Sequence, residues 1–148
     1  MSQGLAGRLT DDGHALDVRI YFEDTDFSGV VYHARYLNFL ERGRSDFLRL
    51  KGIGHRELLA GRYGAPLIFA VRHMDIDFLR PARIDDVVTV TTRTALLGGA
   101  RIILDQRIAC GDAVLVKATV KVAVLSPEGK PMRLPKDMHA QLQPTASA

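Results

Sequence analysis

The sequence predicts an α+β fold in which a curved antiparallel sheet wraps around one long, buried helix. Three observations carry this expectation. Between Ala34 and Lys51 apolar residues recur at spacings of three and four, the period of a helix with one side buried. From residue 67 to residue 125 the period is two, in long runs separated by turn residues, as in a meander of antiparallel strands. A helix with so wide an apolar face needs a concave sheet to cover it.

Taken in order, residues 1–14 are polar and contain glycine, and a loose lead-in is expected there. Leu16, Val18, Ile20 and Phe22 then alternate with Asp17, Arg19 and Tyr21, which predicts a strand with one face on the core. An acidic, glycine-containing turn follows. The helix places Tyr36, Leu40, Gly43, Phe47 and Leu50 on one face, and Leu37, Phe39 and Leu48 widen it. Arg35, Arg42 and Arg49 fall seven apart on another side, and Gly52 and Gly54 supply the stop. Residues 56–60 suit a short helix before the turn region between Gly61 and Gly64.

Residues 67–79 read as a strand with Met74, Ile76 and Phe78 on one face and His73, Asp75, Asp77 and Leu79 on the other; residues 81–86 end it. Residues 87–97 and 101–110 form a hairpin around Gly98-Gly99. In the last strand, 113–125, Val114, Val116, Ala118, Val120, Val122 and Val124 share a face. Residues 126–130 are a turn, and a short helix is expected over 136–141. Edge strands left open by such a sheet are blunted by pairing with a second copy, so at least a homodimer is expected.

Composition narrows the function classes. A chain of 148 residues with 47% hydrophobic content fills one core, so a single domain over 1–148 is expected, with its core at about 15–138. The net charge of +3 is spread over scattered arginines without a basic block, which suits an anionic small molecule and argues against nucleic acid. The single cysteine, Cys110, excludes an internal disulfide and fits a reducing compartment. With no apolar leader at the N-terminus and no run long enough to span a membrane, the expectation is a soluble, cytoplasmic protein without a transmembrane segment.

Chemistry-bearing residues concentrate between Tyr21 and His33, where a strand hands over to the helix. A helix start receives negative charge well, because its first N–H groups lack partners and the peptide dipoles leave about +0.5 charge there. Asp24-x-Asp26-x-Ser28-Gly29 matches the opening of a calcium-binding loop, but position twelve is Arg35 where a bidentate Glu belongs, and no helix precedes it. His14, His33, His55, His73 and His139 lack metal-ligand spacing. Nucleophile-elbow, phosphate-loop and dinucleotide motifs are absent. Neither metal nor cofactor is therefore expected. On physics alone Asp24 and Asp26 read as turn and cap residues.

The run from Glu23 to Tyr36, with Glu41-Arg42-x-Arg44, resembles the signature of the hotdog-fold acyl-CoA thioesterases of the 4-hydroxybenzoyl-CoA thioesterase superfamily, within it most the Tol-Pal-associated, YbgC-type branch. The 81–86 segment and 130–136 also fit that branch, and the likeness covers about 17–138. It implies hydrolysis of acyl-CoA with Asp26 as catalytic carboxylate, either attacking the thioester itself or activating water. It implies that the backbone N–H at His33 polarises the thioester oxygen, with the imidazole also involved. Gly29, Val30, Tyr32 and Phe22 are the implied substrate-binding residues, and a homodimer or homotetramer the implied assembly. Phe22 stands where this branch often has Tyr, so that phenol is missing. Arg72, Arg80, Arg83 and Arg93 are the candidates for CoA phosphates. Glu41 reads either as a second polar group of the site or as a solvated partner of Arg42 or Arg44. The competing class is a non-catalytic hotdog protein that binds acyl-CoA or acyl carrier protein as a scaffold or sensor.

Overall fold

The structure, a computed structural model, describes residues 7–144. Its core is α1 (His33–Leu50), which begins and ends one residue before the expected bounds. Tyr36, Phe39, Leu40, Gly43, Phe47 and Leu48 are buried along it, whereas Leu37 is exposed and drops out of the apolar stripe. Gly43 is needed for close approach: a Cβ there would sit 2.8 Å from Val90 Cγ1 and 3.2 Å from Thr92 Oγ1, so the helix could not lie as closely on the sheet.

That sheet has six antiparallel strands in the order β1-β2-β4-β5-β6-β3. They are β1 (Gly7–Leu9), β2 (His14–Arg19), β3 (Ile68–Phe78), β4 (Val87–Leu97), β5 (Arg101–Cys110) and β6 (Ala113–Leu125). The last three match the expected bounds, and the face predicted for β6 is buried from Val116 to Val124. Val114 is only half-buried, because a register shift near Ile108 brings Leu115 to the interior instead. Short helices α2 (His55–Leu59) and α3 (Lys136–Leu142) close the ends of the core, and Leu134 N–H anchors the approach to α3 on Gly99 O at 2.8 Å.

Two expectations at the N-terminal side are corrected. Residues 7–14 are not a loose lead-in: β1 pairs with β2, closed by Thr10 N–H on Gly13 O at 2.9 Å. What orders them is His14, fully buried, whose Nε2 lies 2.7 Å from Asp46 Oδ2 on α1. Residues 1–6 of that lead-in lie outside the described part. The strand expected to reach Phe22 ends at Arg19. Ile20 bonds the 85–86 corner, and Tyr21 N–H donates to Asp24 Oδ2 at 2.9 Å, which draws the chain into a 3-10 turn over Phe22–Asp24. Phe22 consequently leaves the core face and is 80% exposed.

At the opposite edge β3 pairs only with β6, which explains its shallow burial: Met74 and Ile76 are half-buried and Phe78 is exposed. β3 runs beside α1, with Phe78 at the helix start and Phe69 near His55. Among the described residues no helix is long and apolar enough to cross a membrane.

Candidate active site at the start of the central helix

The turn into α1 holds two aspartates two residues apart in opposite states. Asp24 is buried, and its carboxylate is saturated: Oδ2 accepts from Tyr21 N–H, while Oδ1 accepts from Arg35 Nε at 3.0 Å and Arg35 Nη2 at 2.8 Å. Its carbonyl takes Tyr32 N–H at 2.9 Å. Asp24 thus fastens the turn to the first turn of the helix.

Asp26 is exposed. Its Oδ1 accepts from Ser28 Oγ at 2.7 Å and Ser28 N–H at 2.9 Å, and Oδ2 has no hydrogen-bond partner among the described residues. The Ser28 hydroxyl, followed by the Ser28 amide, holds its pKa below the ordinary carboxylate value, because both donate to the charged form. Asp26 N–H bonds Val30 O at 2.9 Å and Gly29 N–H bonds Asp26 O at 3.1 Å, a closure that uses Gly29 at φ 80.

The turn is seated on the loop before β4. Val31 N–H donates to Ala82 O at 2.9 Å, Val30 bridges Arg83, and Ala82 N–H donates to the buried Tyr36 hydroxyl at 2.9 Å. Burial pushes the Tyr36 phenol up, so it remains a neutral group. His33 opens α1, and its backbone N–H, at a position with no intrahelical partner, donates to no other group among the described residues. Its exposed ring lies between Tyr32, with centroids 4.6 Å apart, and the edge of Phe78 at 6.1 Å.

Asp26, Gly29, Val30, Tyr32 and His33 therefore share one short, tied-down segment. Phe22, at the start of the 3-10 turn, is exposed to solvent, and its ring pairs with no aromatic among the described residues. Of the four arginines considered for CoA phosphates, Arg93 is held by Asp105 at 2.9 Å, whereas Arg72, Arg80 and Arg83 are exposed and form no ion pair among the described residues. Glu41 is neither a partner of Arg42 nor paired directly with Arg44. It accepts from Ser45 Oγ at 2.8 Å, and that hydroxyl lies 3.1 Å from His55 Nε2. Sequence reasoning missed Arg35 as the clamp on Asp24 and Phe78 as a wall beside His33; the seven-residue arginine spacing was the one signal for the first. Among the described residues no three His, Cys, Asp or Glu side chains are grouped to hold a metal.

Comparison with known proteins agrees with this fold. The family model described as the thioesterase superfamily matches residues 28–121. The chain is 41% identical to the acyl-CoA thioesterase YbgC of Haemophilus influenzae over 89% of this chain and 96% of that one, and 38% identical to the acyl-CoA thioester hydrolase YbgC of Escherichia coli over 85% and 92%. The crystal structure of a probable thioesterase from Bartonella henselae superimposes with a TM-score of 0.80 at 53% identity, covering 83% of this chain and 99% of that one. A six-stranded sheet curled on one helix, the acidic turn at its start and these likenesses together establish that the chain belongs to the thioesterase superfamily, in its YbgC branch of acyl-CoA thioesterases.

Proposed function

We propose that the protein hydrolyses acyl-CoA thioesters to the free acid and CoA at the turn between Asp26 and His33. The observation that carries this is a carboxylate held ionised with one oxygen free, next to a helix start whose N–H is unpartnered. The His33 N–H receives the thioester carbonyl oxygen and stabilises the negative charge that grows on it as the carbon becomes tetrahedral, a contribution of the kind worth ~10²–10³ in kcat. Asp26 Oδ2 either takes a proton from the attacking water or attacks the carbonyl itself. In the second case an acyl–Asp26 anhydride forms as the C–S bond breaks and CoA thiolate leaves to take up a solvent proton, and water then cleaves the anhydride to the acid and the free carboxylate. In the water route the proton passes to Asp26, the C–S bond breaks, and the CoA sulfur leaves as the thiol after recovering that proton. A depressed pKa makes Asp26 a weak base in the open site; substrate that displaces water raises it toward the working range.

The active unit in this reading is a homodimer or a tetramer built from it, paired along β3. That strand is an open edge carrying exposed Val71 and Phe78, with exposed Leu79 directly after it. Pairing it antiparallel with its own copy about a twofold axis sets the Phe69 end of one protomer against the Phe78 end, and hence the helix start, of the other. Acyl-CoA is the substrate this arrangement supports.

The test is release of free thiol from short-chain, long-chain and aromatic acyl-CoAs, together with sedimentation at micromolar concentration. Turnover by a dimer or tetramer is expected. Binding without thiol release from any of them would leave a scaffold or sensor of acyl-CoA or acyl carrier protein, and a monomer would remove the two-copy site.

A further inference from the structure

A second feature of α1 lies away from the acidic turn. Beside its second half is a cavity of about 220 Å³ that the proposed chemistry does not use. Its mouth carries the exposed Glu41 and His55 with Ser45 between them, joined by the hydrogen bonds described above, and the edge residue Val71. Its depth is lined by Ile102, Leu104, Val122 and Leu142, all nearly inaccessible. Leu142, 1% exposed and the last residue of α3, is contributed from outside both the sheet and α1. The cavity is therefore wet at its mouth, dry at depth, and bounded there by a side chain on a short C-terminal helix.

Within one copy none of the residues of the catalytic turn lines this cavity. Glu41 lies roughly 12 Å further along α1 than His33 at 1.5 Å per residue. Across a β3–β3 pair the situation reverses, because Phe69 and Val71 line the cavity while Phe78 stands beside His33. Each cavity then opens toward the partner's helix start.

The geometry points to this cavity as the pocket for the acyl group, with Leu142 as the residue that sets how long that group can be; the inference rests on the thioesterase reading above. A cavity of about 150 Å³ lined by Leu, Ile and Phe admits benzene, so about 220 Å³ accommodates roughly six to nine carbon atoms. The substrates that fit are compact: a medium-length straight chain or a single ring, with the thioester at the polar mouth and the hydrocarbon against Ile102, Leu104 and Leu142. Long chains are excluded by the Leu142 boundary. Truncating it to Ala removes three carbons and opens room for a chain roughly two to three carbons longer, and Phe in its place shortens the pocket.

The experiment is the profile of kcat/KM against chain length for straight-chain acyl-CoAs, measured on the wild type, Leu142→Ala and Leu142→Phe. The expected result is an optimum at no more than roughly nine carbons, moved longer in the Ala variant, with at least a tenfold gain for the longer chain relative to the wild-type optimum, and moved shorter in the Phe variant. Because each profile is a ratio within one protein, partial loss of folded enzyme cancels. Thiol release with an unmoved optimum in both variants would overturn the inference and leave the thioesterase reading standing. Thermal shifts of the same three proteins with free carboxylic acids of graded length read the cavity without turnover. No chain-length difference among the three proteins there would overturn the inference even if no thioester were cleaved.

Discussion

The two ends of α1 hold polar groups in opposite ways. At the start, Asp26 stands in water, and a tight turn fixes its charge through two bonds from Ser28. Further along, Arg44 is packed over apolar side chains; it donates to Gln106 Oε1 at 3.0 Å, and Gln106 in turn donates to Leu40 O and Thr92 Oγ1, each at 2.9 Å. Desolvation by burial pushes the Arg44 guanidinium below its ordinary value. At the start of the helix, the exposed Asp26 is a position where chemistry can be altered without unpacking anything. The later half is a place where a single added methyl disturbs the core.

The largest effect that would sharpen this contrast is Asp26→Asn. It is nearly isosteric and removes only charge and basicity, so kcat should fall by ~10³ or more with the melting temperature unchanged. A variant keeping a third of wild-type kcat would remove Asp26 from the mechanism. Asp24→Asn supplies the opposite pattern: it takes the charge from a buried partner of Arg35 and should cost roughly 1–3 kcal/mol of stability with a smaller effect on kcat.

Next comes His33→Ala, which leaves the backbone donor in place. A loss of ~10² in kcat is expected if the imidazole, held between Tyr32 and Phe78, contributes to holding substrate or water. Near-wild-type kcat would assign the whole role to the backbone N–H.

In the packed later half of α1, Gly43→Ala should destabilise by roughly 1–3 kcal/mol through overpacking against Val90 and Thr92, read by chemical denaturation, with kcat of the folded fraction preserved. The smallest effect belongs to Ser28→Ala. The hydroxyl is the largest cause of the lowered Asp26 pKa, so its removal raises that pKa. The carboxylate works when deprotonated; the acid limb of kcat/KM should therefore move to higher pH. An unmoved limb would detach the acid limb from Asp26.

The long elements were legible because each repeats its period many times. α1 and β4 to β6 lie within one residue of the bounds read from the pattern. The failures have local causes that periodicity does not encode. Three residues of β1 are too short to show alternation, and they are ordered by a contact between His14 and Asp46, 32 positions apart. Phe22 continues the alternation in sequence after the backbone has left the sheet, because the Asp24 carboxylate competes for Tyr21 N–H. At the candidate site, Asp26, Gly29, Val30, Tyr32 and His33 fall within eight positions of one another, so their nearness in space follows from the sequence alone. The cavity could not be, since Ser45 and His55 meet Phe69, Ile102 and Leu142 only after the sheet has curled.

The turn between Asp24 and His33 is pinned at both ends, by Asp24 O on Tyr32 N–H and by Asp26 N–H on Val30 O, while Phe27 at its tip is fully exposed. Such a loop is a spacer of fixed count. Exchanging Phe27 for another side chain leaves the rungs intact, but inserting or deleting one residue between Asp26 and Val30 breaks the inner rung and turns the carboxylate away from the helix start. In this segment the chain tolerates a change of letters and not of length.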